Sequence, residues 1–499
     1  MLSKENIPKE DFLATLQKLY LQGFFDWSSA IRQIKSEKTI FFSKKMDSIV
    51  YCQRCGNGLE GSENLIQKWW YGMKEKTPMI PVTCSSCQVS PCYYCSRCLK
   101  LGLSKACETM LEWKRIYPSQ QREVVFAWEG ELSSQQEKAS RELCSFVHEE
   151  SRGHTNVAKN DREFLVWAVC GAGKTELLFL TLYHALCKQQ KVLITSPRRD
   201  VIIELAPRLQ EAFPRTNIAV LHGESQEKLQ FGELFLATTH QVLRFKQFFD
   251  LIIVDEEDAF PYHQDEMLPY AVQEALHSDG KRIYLSATPR KEWIEKIRKE
   301  KMRYVRLVQR FHGYPLAIPK LRPVGSWRKV IGQQHILSEL ADYIQHLHQK
   351  RRVGYLFVPY VKDLPTVQKY VREMILPYLA QNDSTILEEF TVETVHSKDP
   401  RRSEIVNRYR SHEIKLLITT TILERGVTIA HSDVAVLGSD ETIFDAASLI
   451  QMAGRTGRKL SDPVGHVWFF PEARTNAQIE AIQTLKECNE LAQLEKEER

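Results

Sequence analysis

Short apolar runs closed by small or polar residues recur along most of the chain, and stretches of helical spacing separate them. Between about 115 and 310 the runs are FLVWAV (164–169), KVLITSP (191–197), LFLATT (234–239), DLIIVDEE (250–257) and KRIYLSAT (281–288). Runs this short, rich in Val, Ile, Leu and Phe, predict strands buried on both faces, as in a parallel sheet covered by helices. Alternation of such strands with helices makes the class α/β. The stretch HGYPLAIPKLRPVGSW (312–327), broken by prolines and glycines, reads as a linker. Beyond it the pattern resumes at GYLFVP (354–359), VETVH (392–396), KLLITT (415–420), VAVLG (434–438) and VWFF (467–470). Residues 1–50 carry a helical pattern at FLATLQKLYLQGFF and lead into a strand near IVYCQRC. The expected organisation is an N-terminal region (1–50), a cysteine module (51–110), a first α/β domain (115–311), a linker (312–327) and a second α/β domain (328–499).

The first of these runs ends in VWAVCGAGKTE (166–176) and continues into LLFLTLYHALCK. Strand, small-residue loop and helix in that order form a cradle for a phosphate chain, which the backbone N–H groups of Gly171, Ala172 and Gly173 and the helix N-terminus can hold. Lys174 supplies a mobile point charge to the β and γ phosphates, and Thr175 a hydroxyl for Mg²⁺. Ala168 stands where the full pattern has a further glycine.

Other strand ends carry matching chemistry. Asp255 is placed to hold Mg²⁺ through water, and Glu256 to orient and deprotonate the attacking water. Arg198, Thr239, Gln241 and Arg244 follow neighbouring strands and suit a nucleic-acid backbone, as does Thr420 in the second domain. Ser286-Ala287-Thr288 either lies under the domain cleft or caps the helix that PRKEWIEKIRKE predicts. The second domain has no phosphate loop. Its run QMAGRTGR offers Gln451, with Arg455 and Arg458 three residues apart on one face of a predicted helix, where guanidinium forks can reach a γ-phosphate held by the first domain.

Composition changes the picture at one place. Lys and Arg number 68 against 63 Asp and Glu, a net charge of +5, so no polyanionic partner is demanded by charge alone. No apolar stretch is long enough to span a membrane and the first residues lack a signal-peptide core, so a cytoplasmic protein is expected. Seven of the 12 cysteines, however, fall between Cys52 and Cys98. In a reducing compartment such clustering reads as metal binding. Cys52 and Cys55, Cys84 and Cys87, and the run Cys92, Cys95 and Cys98 all show the spacing at which two thiolates face one Zn²⁺. Spacing leaves open which pairs join and whether one ion or two are held, and an iron–sulfur cluster is the alternative. Trp69, Trp70, Tyr71, Tyr93 and Tyr94, near Arg54, Arg97, Lys100 and Lys105, either stack on single-stranded bases or pack the small module.

Taken together, GAGKT (171–175), SPR (196–198), TTHQ (238–241), DEED (255–258), SAT (286–288), TTTILERGV (419–427) and QMAGRTGR (451–458) resemble the motifs of superfamily-two helicase motors of the DEAD-box-like group. DEED in place of DEAD argues against an RNA helicase. The knuckles, GAGKTE, PRRDVIIELAPRL (197–209), ATTHQVLRF (237–245), DAFPY (258–262) and TTILERGVT (420–428) resemble, more closely, the ComFA family of late competence ATPases of transformable Gram-positive bacteria. That resemblance implies two RecA-like domains with ATP and Mg²⁺ between them, a Zn²⁺ module, and ATP-driven import of single-stranded DNA through a membrane channel. It also implies a competence partner of the amidophosphoribosyltransferase-like type and a place at the inner face of the cell membrane, and it is compatible with an oligomer. For the metal it implies Cys52, Cys55, Cys95 and Cys98, with Cys84 and Cys87 as an alternative second pair and the remaining thiolates leaving room for a nested site like that of the primosomal helicase PriA. Two rival readings stand beside it: a duplex-unwinding helicase of repair or replication restart, and a zinc-anchored nucleic-acid-binding scaffold with a regulatory ATP site.

Overall fold

The computed structural model describes residues 14, 16–18, 20–40, 43–57, 79–113, 123–149, 162–223, 225, 232–262, 264–421 and 429–497. Trp69, Trp70, Tyr71, Gly58 and most of TTTILERGV lie outside these residues, as does the side chain of Lys100.

Among the described residues, seven parallel strands form the first large sheet, in the order Arg303–Leu307, Glu163–Ala168, Leu276–Ser286, Phe249–Asp255, Val192–Ser196, Leu234–Thr238 and Ile218–Leu221. Strands Val192–Ser196 and Leu234–Thr238 are buried along their whole length, as continuous apolar runs require. Helix Lys174–Cys187 covers the sheet through Leu177, Leu178, Phe179, Leu182 and Leu186. Helix Ser134–His148 starts at Ser133, whose side chain and that of Gln136 cap it reciprocally. The two outer strands, Ile218–Leu221 and Arg303–Leu307, are absent from the apolar pattern read above.

Six parallel strands make the second sheet, in the order Lys320–Leu321, Val467–Phe470, Ser432–Leu437, Val353–Phe357, Leu416–Thr419 and Val392–Val395. One apolar cluster runs from Leu177, Ile202 and Leu285 of the first unit to Phe357, Val436 and Leu449 of the second. Burial of that shared surface brings loops from both sheets together.

The N-terminal part opens with the helical stretch expected there, described at residues 14, 16–18, 20 and 21, and continues mainly as strands. Phe25–Ser29 pairs antiparallel with Thr109–Trp113, Ile31–Ile40 with Ser43–Cys52, and Met79–Val82 with Cys92–Cys95. The single strand predicted near 49–55 is therefore one arm of a hairpin, which the sequence masks by its many charged residues. The hairpins sit on the first α/β unit: Tyr270 packs against Gly56, where an added Cβ would lie 2.7 Å from the tyrosine ring, and Lys246 Nζ meets Glu112 Oε1 at 2.8 Å. No helix among the described residues is long and apolar enough to cross a membrane.

Candidate active site

The phosphate loop follows from its neighbours. Strand Glu163–Ala168 ends in the buried interior, and the chain turns through Gly171 and Gly173 at φ of +83° and +72°, which favour glycine, before helix Lys174–Cys187 begins. Ala168, in place of a glycine, is simply the last buried residue of the strand. Gln136 Nε2 donates to the carbonyls of Ala172 at 3.0 Å and Gly173 at 3.3 Å, tying the preceding helix to the loop. Lys174, Thr175 and Asp255 line one pocket, so the loop's cation and hydroxyl share a space with the first carboxylate.

Glu256 follows Asp255 with a left-handed φ of +56°, an uncommon conformation for a non-glycine residue, and its N–H donates to Asp255 Oδ1 at 2.9 Å. The strained turn points its carboxylate toward Arg198, whose Nε lies 4.0 Å from Glu256 Oε2, both side chains being 16% exposed. Glu257 is fully buried against Arg290, Nε to Oε2 at 2.8 Å, and burial pushes its carboxyl up to about 7 despite that cation. Asp258 accepts hydrogen bonds from Ser286 Oγ at 3.0 Å and Thr288 Oγ1 at 2.6 Å. The following helix starts instead at Arg290, without a side-chain cap, so these hydroxyls tie the DEED run to the next strand rather than cap a helix.

On the second sheet, helix Ala446–Ala453 is capped by Asp445, whose Oδ1 accepts from Ser448 N–H at 2.7 Å. It ends before the arginines. The expectation that Arg455 and Arg458 share a helical face is corrected: Gly454 closes the helix and Gly457, at φ +64°, turns the chain, so both arginines lie in a loop. Gln451 Oε1 accepts from Cys170 Sγ at 3.0 Å, and a Cβ on Gly454 would run into Cys170, so this loop lies directly against the phosphate loop. Arg455 is 2% exposed; burial first, then Arg458, lower its pKa to about 9, while Glu256 acts in the opposite sense. It is therefore a cation at neutral pH within electrostatic reach of the first sheet's carboxylate. Arg458 Nε donates to Gly454 O at 2.6 Å.

Among the residues expected along a nucleic-acid backbone, Thr239 is fully buried and its N–H donates to Ser196 O at 3.1 Å; Gln241 and Thr420 are each 9% exposed. Arg198 lies beside Glu256, inside the cleft. Arg244 ends the short helical turn Gln241–Arg244, and burial together with Arg54 of the cysteine module lowers its pKa. Sequence reasoning missed the roles of Gln136 and Asp258: the pattern Ser133-x-x-Gln136 marks a helix cap but not the contact with the phosphate loop, and Asp258 was legible as part of DEED but not as the acceptor for Ser286 and Thr288.

The thiolates gather in two groups. Sγ atoms of Cys52, Cys55, Cys95 and Cys98, all buried, lie within 4.8 Å of one another, and so do those of Cys84, Cys87, Cys92 and Cys107. Cys52 and Cys98 are 3.7 Å apart, Cys55 and Cys95 3.4 Å, and Cys84 and Cys107 3.7 Å. Thiolates at the corners of a tetrahedron around an ion about 2.3 Å away stand about 3.8 Å apart, so both groups are able to chelate a metal. Cys92 thus leaves the knuckle it forms in sequence with Cys95, and Cys107 completes the second group.

Residues 129–291 match the family described as type III restriction enzyme, res subunit, and residues 335–459 match the helicase conserved C-terminal domain. With two parallel sheets meeting at a phosphate loop, this defines an ATP-binding and ATP-hydrolysing enzyme of the superfamily-two helicase type, acting on nucleic acid. RecG bound to a three-way DNA junction shares the fold at a TM-score of 0.50 and 15% identity, over 74% of this chain and 47% of RecG. The chain is 37% identical over 399 residues to competence protein ComFA of Bacillus subtilis, spanning 80% of this chain and 81% of that protein. It is 32% identical over 452 residues to competence protein ComFA of Streptococcus pneumoniae, spanning 90% and 93%. The chain belongs to the competence protein ComFA family.

Proposed function

We propose that this chain is an ATP-dependent translocase that pulls single-stranded DNA into the cytoplasm during natural competence, working at the inner face of the membrane beside an uptake channel. The observation that carries the reading is the meeting of Cys170 and Gln451, which sets the loop bearing Arg455 and Arg458 against the phosphate loop. ATP would lie between domain 115–311 and domain 328–499, across the linker 312–327. Gly171, Ala172, Gly173 and Lys174 hold its phosphates, and Thr175 with Asp255 would hold Mg²⁺, which neutralises phosphate charge. Glu256 takes the proton of the attacking water, Arg198 and Arg455 fix the charge around that carboxylate, and Gln451 closes the far wall. Each cycle of closure and opening would advance a strand gripped by both domains. Names of the relatives support the competence setting; a partner of the amidophosphoribosyltransferase-like type is proposed on the family resemblance of the motifs alone. Zn²⁺ is the ion proposed for residues 51–110, because sulfur separations of 3.4 and 3.7 Å suit one ion and leave no space for a multi-iron core.

For nucleic acid, Arg244 beside Arg54 is the observation that favours a backbone track running from the first domain onto the cysteine module. The expected result is strong stimulation of ATP turnover by single-stranded DNA, weak stimulation by duplex DNA and RNA. If about four phosphates are contacted, raising salt from about 50 to about 200 mM weakens the half-saturating DNA concentration about fifty-fold, at a slope near 0.7 per contact. Matched ATPase titrations decide it; preference for duplex would favour the repair or restart helicase, and turnover absent under all conditions the scaffold.

Arg455→Ala and Arg458→Ala are each expected to lower kcat about a hundredfold while changing nucleotide affinity less than threefold, since their charge meets the phosphate only after closure. Equilibrium titration of a fluorescent nucleotide beside steady-state kinetics tests this, and equal losses in binding and turnover would contradict it.

A further inference from the structure

The chain leaves the first sheet through strand Arg303–Leu307, which pairs with the phosphate-loop strand at Leu307 and Ala168. Val169 N–H donates to Leu307 O at 3.0 Å, so the crossing segment is led along the phosphate loop itself. Phe311 N–H donates to Gly171 O at 3.0 Å, and the Arg310 stem lies over Gly171, where a Cβ would sit 3.6 Å from Arg310 Cγ. From the same three residues, Arg310 Nη1 donates to Gly457 O, and His312 Nε2 approaches that carbonyl at 3.0 Å. Gly457 stands between Arg455 and Arg458. One tripeptide therefore touches the phosphate loop on one side and the arginine loop on the other.

Arg310 is unusually placed for a cation. It is 2% exposed, and its Nε and Nη2 meet no hydrogen-bond acceptor among the described residues. Burial first and the Arg458 cation second depress its pKa to about 10, and no carboxylate counters them. A buried guanidinium without a partner anion is costly, and here the Arg458 cation adds to that cost. Because the Arg310 stem lies over Gly171, a phosphate chain wrapped by the loop would bring negative charge beside it.

We infer that Arg310 is a positioning residue that senses the terminal phosphate of a nucleoside triphosphate, whose negative charge compensates the buried guanidinium and fixes, through Gly457 O, the loop that carries Arg455 and Arg458. The inference rests on the nucleotide site assigned above. It separates Arg310 from a merely structural arginine, because without nucleotide its charge destabilises the fold rather than supporting it.

Arg310→Met and Arg310→Lys test it in the full chain, with Tm measured without nucleotide, with ADP and with a non-hydrolysable ATP analogue, beside equilibrium affinities for both. Arg310→Met, which removes an uncompensated buried charge at similar volume, is expected to keep or raise Tm without nucleotide. Its preference for the triphosphate over ADP is expected to fall about tenfold, and Arg310→Lys, retaining the charge, to recover most of that preference. A lower Tm or failure to fold in Arg310→Met, equal loss of both affinities, or an unchanged triphosphate preference would each overturn the inference. Absence of triphosphate preference in the unaltered chain would instead overturn the nucleotide site itself.

Discussion

Glu256→Gln is expected to bind ATP as tightly as the unaltered chain and to turn it over about a thousandfold more slowly. The amide preserves the size of the side chain, but it cannot accept a proton from water, and general-base removal costs about a hundred- to ten-thousandfold. The geometry makes this substitution informative. Glu256 is held at φ +56° immediately after the buried strand Phe249–Asp255, with Arg198 at 4.0 Å and Arg455 acting on it from the other sheet. Neither neighbour belongs to the phosphate loop, so affinity has little reason to change. Lys174→Ala, by contrast, removes a charge in the pocket shared by Thr175 and Asp255 and is expected to lose affinity and turnover together. Equilibrium binding and single-turnover hydrolysis on the same preparations distinguish the two patterns. Undiminished turnover in Glu256→Gln would remove that residue from the chemistry and leave Asp255 or Glu257 to be tested next.

How much of this was legible in the sequence depended on how local the cause is. The phosphate loop was, because Gly171 and Gly173 are needed by their own φ and the flanking strand and helix lie within a few residues. The buried middle strands were, because continuous apolar runs cannot face water. The outer strands Ile218–Leu221 and Arg303–Leu307 were not: IAVL is only four residues long, and in RYVRL two arginines interrupt the apolar run. The helix expected through Arg455 and Arg458 stops at Ala453, before the charges, and Gly457, at φ +64°, then turns the chain between them. Gln136, Asp258 and Arg310 gain their meaning from partners 36, 28 and 147 residues away, a separation at which neither periodicity nor spacing gives a signal.

The thiolates show the same limit in another form. Cys92 and Cys95 occupy the ends of one four-residue strand, Cys92–Cys95, and an odd separation along a strand sends two side chains to opposite faces. Spacing that reads as a knuckle therefore distributes its two sulfurs between two groups. Only the antiparallel partner Met79–Val82, and the return of Cys107 from beyond the next turn, decides the membership of each.

Two tightly held zinc ions per chain are accordingly expected by elemental analysis of protein purified without added metal, and their removal is expected to cost local structure on the order of 10 kcal/mol per site. The two ions should differ. Cys52, Cys55, Cys95 and Cys98 are all buried and pack, with Ile31 and Met79, in the same apolar cluster as Tyr262, Leu268 and Val272 of the first α/β unit. In the second group Cys107 is exposed and Cys87 partly so. A chelator should thus strip the outer ion first, loosening residues around Cys84–Cys107 without altering ATP turnover. Loss of the inner ion should free the contact between Gly56 and Tyr270 and detach the module from the sheet that carries Arg244. Cys92→Ser and Cys55→Ser separate the cases: the first is expected to retain one zinc and full DNA-stimulated ATPase activity. The second is expected to lose protease resistance across the module, and DNA stimulation with it, while hydrolysis without DNA persists. Finding no zinc, or an iron–sulfur absorption in the visible range, would refute the assignment, and a single zinc lost equally from both variants would show that the eight thiolates form one site.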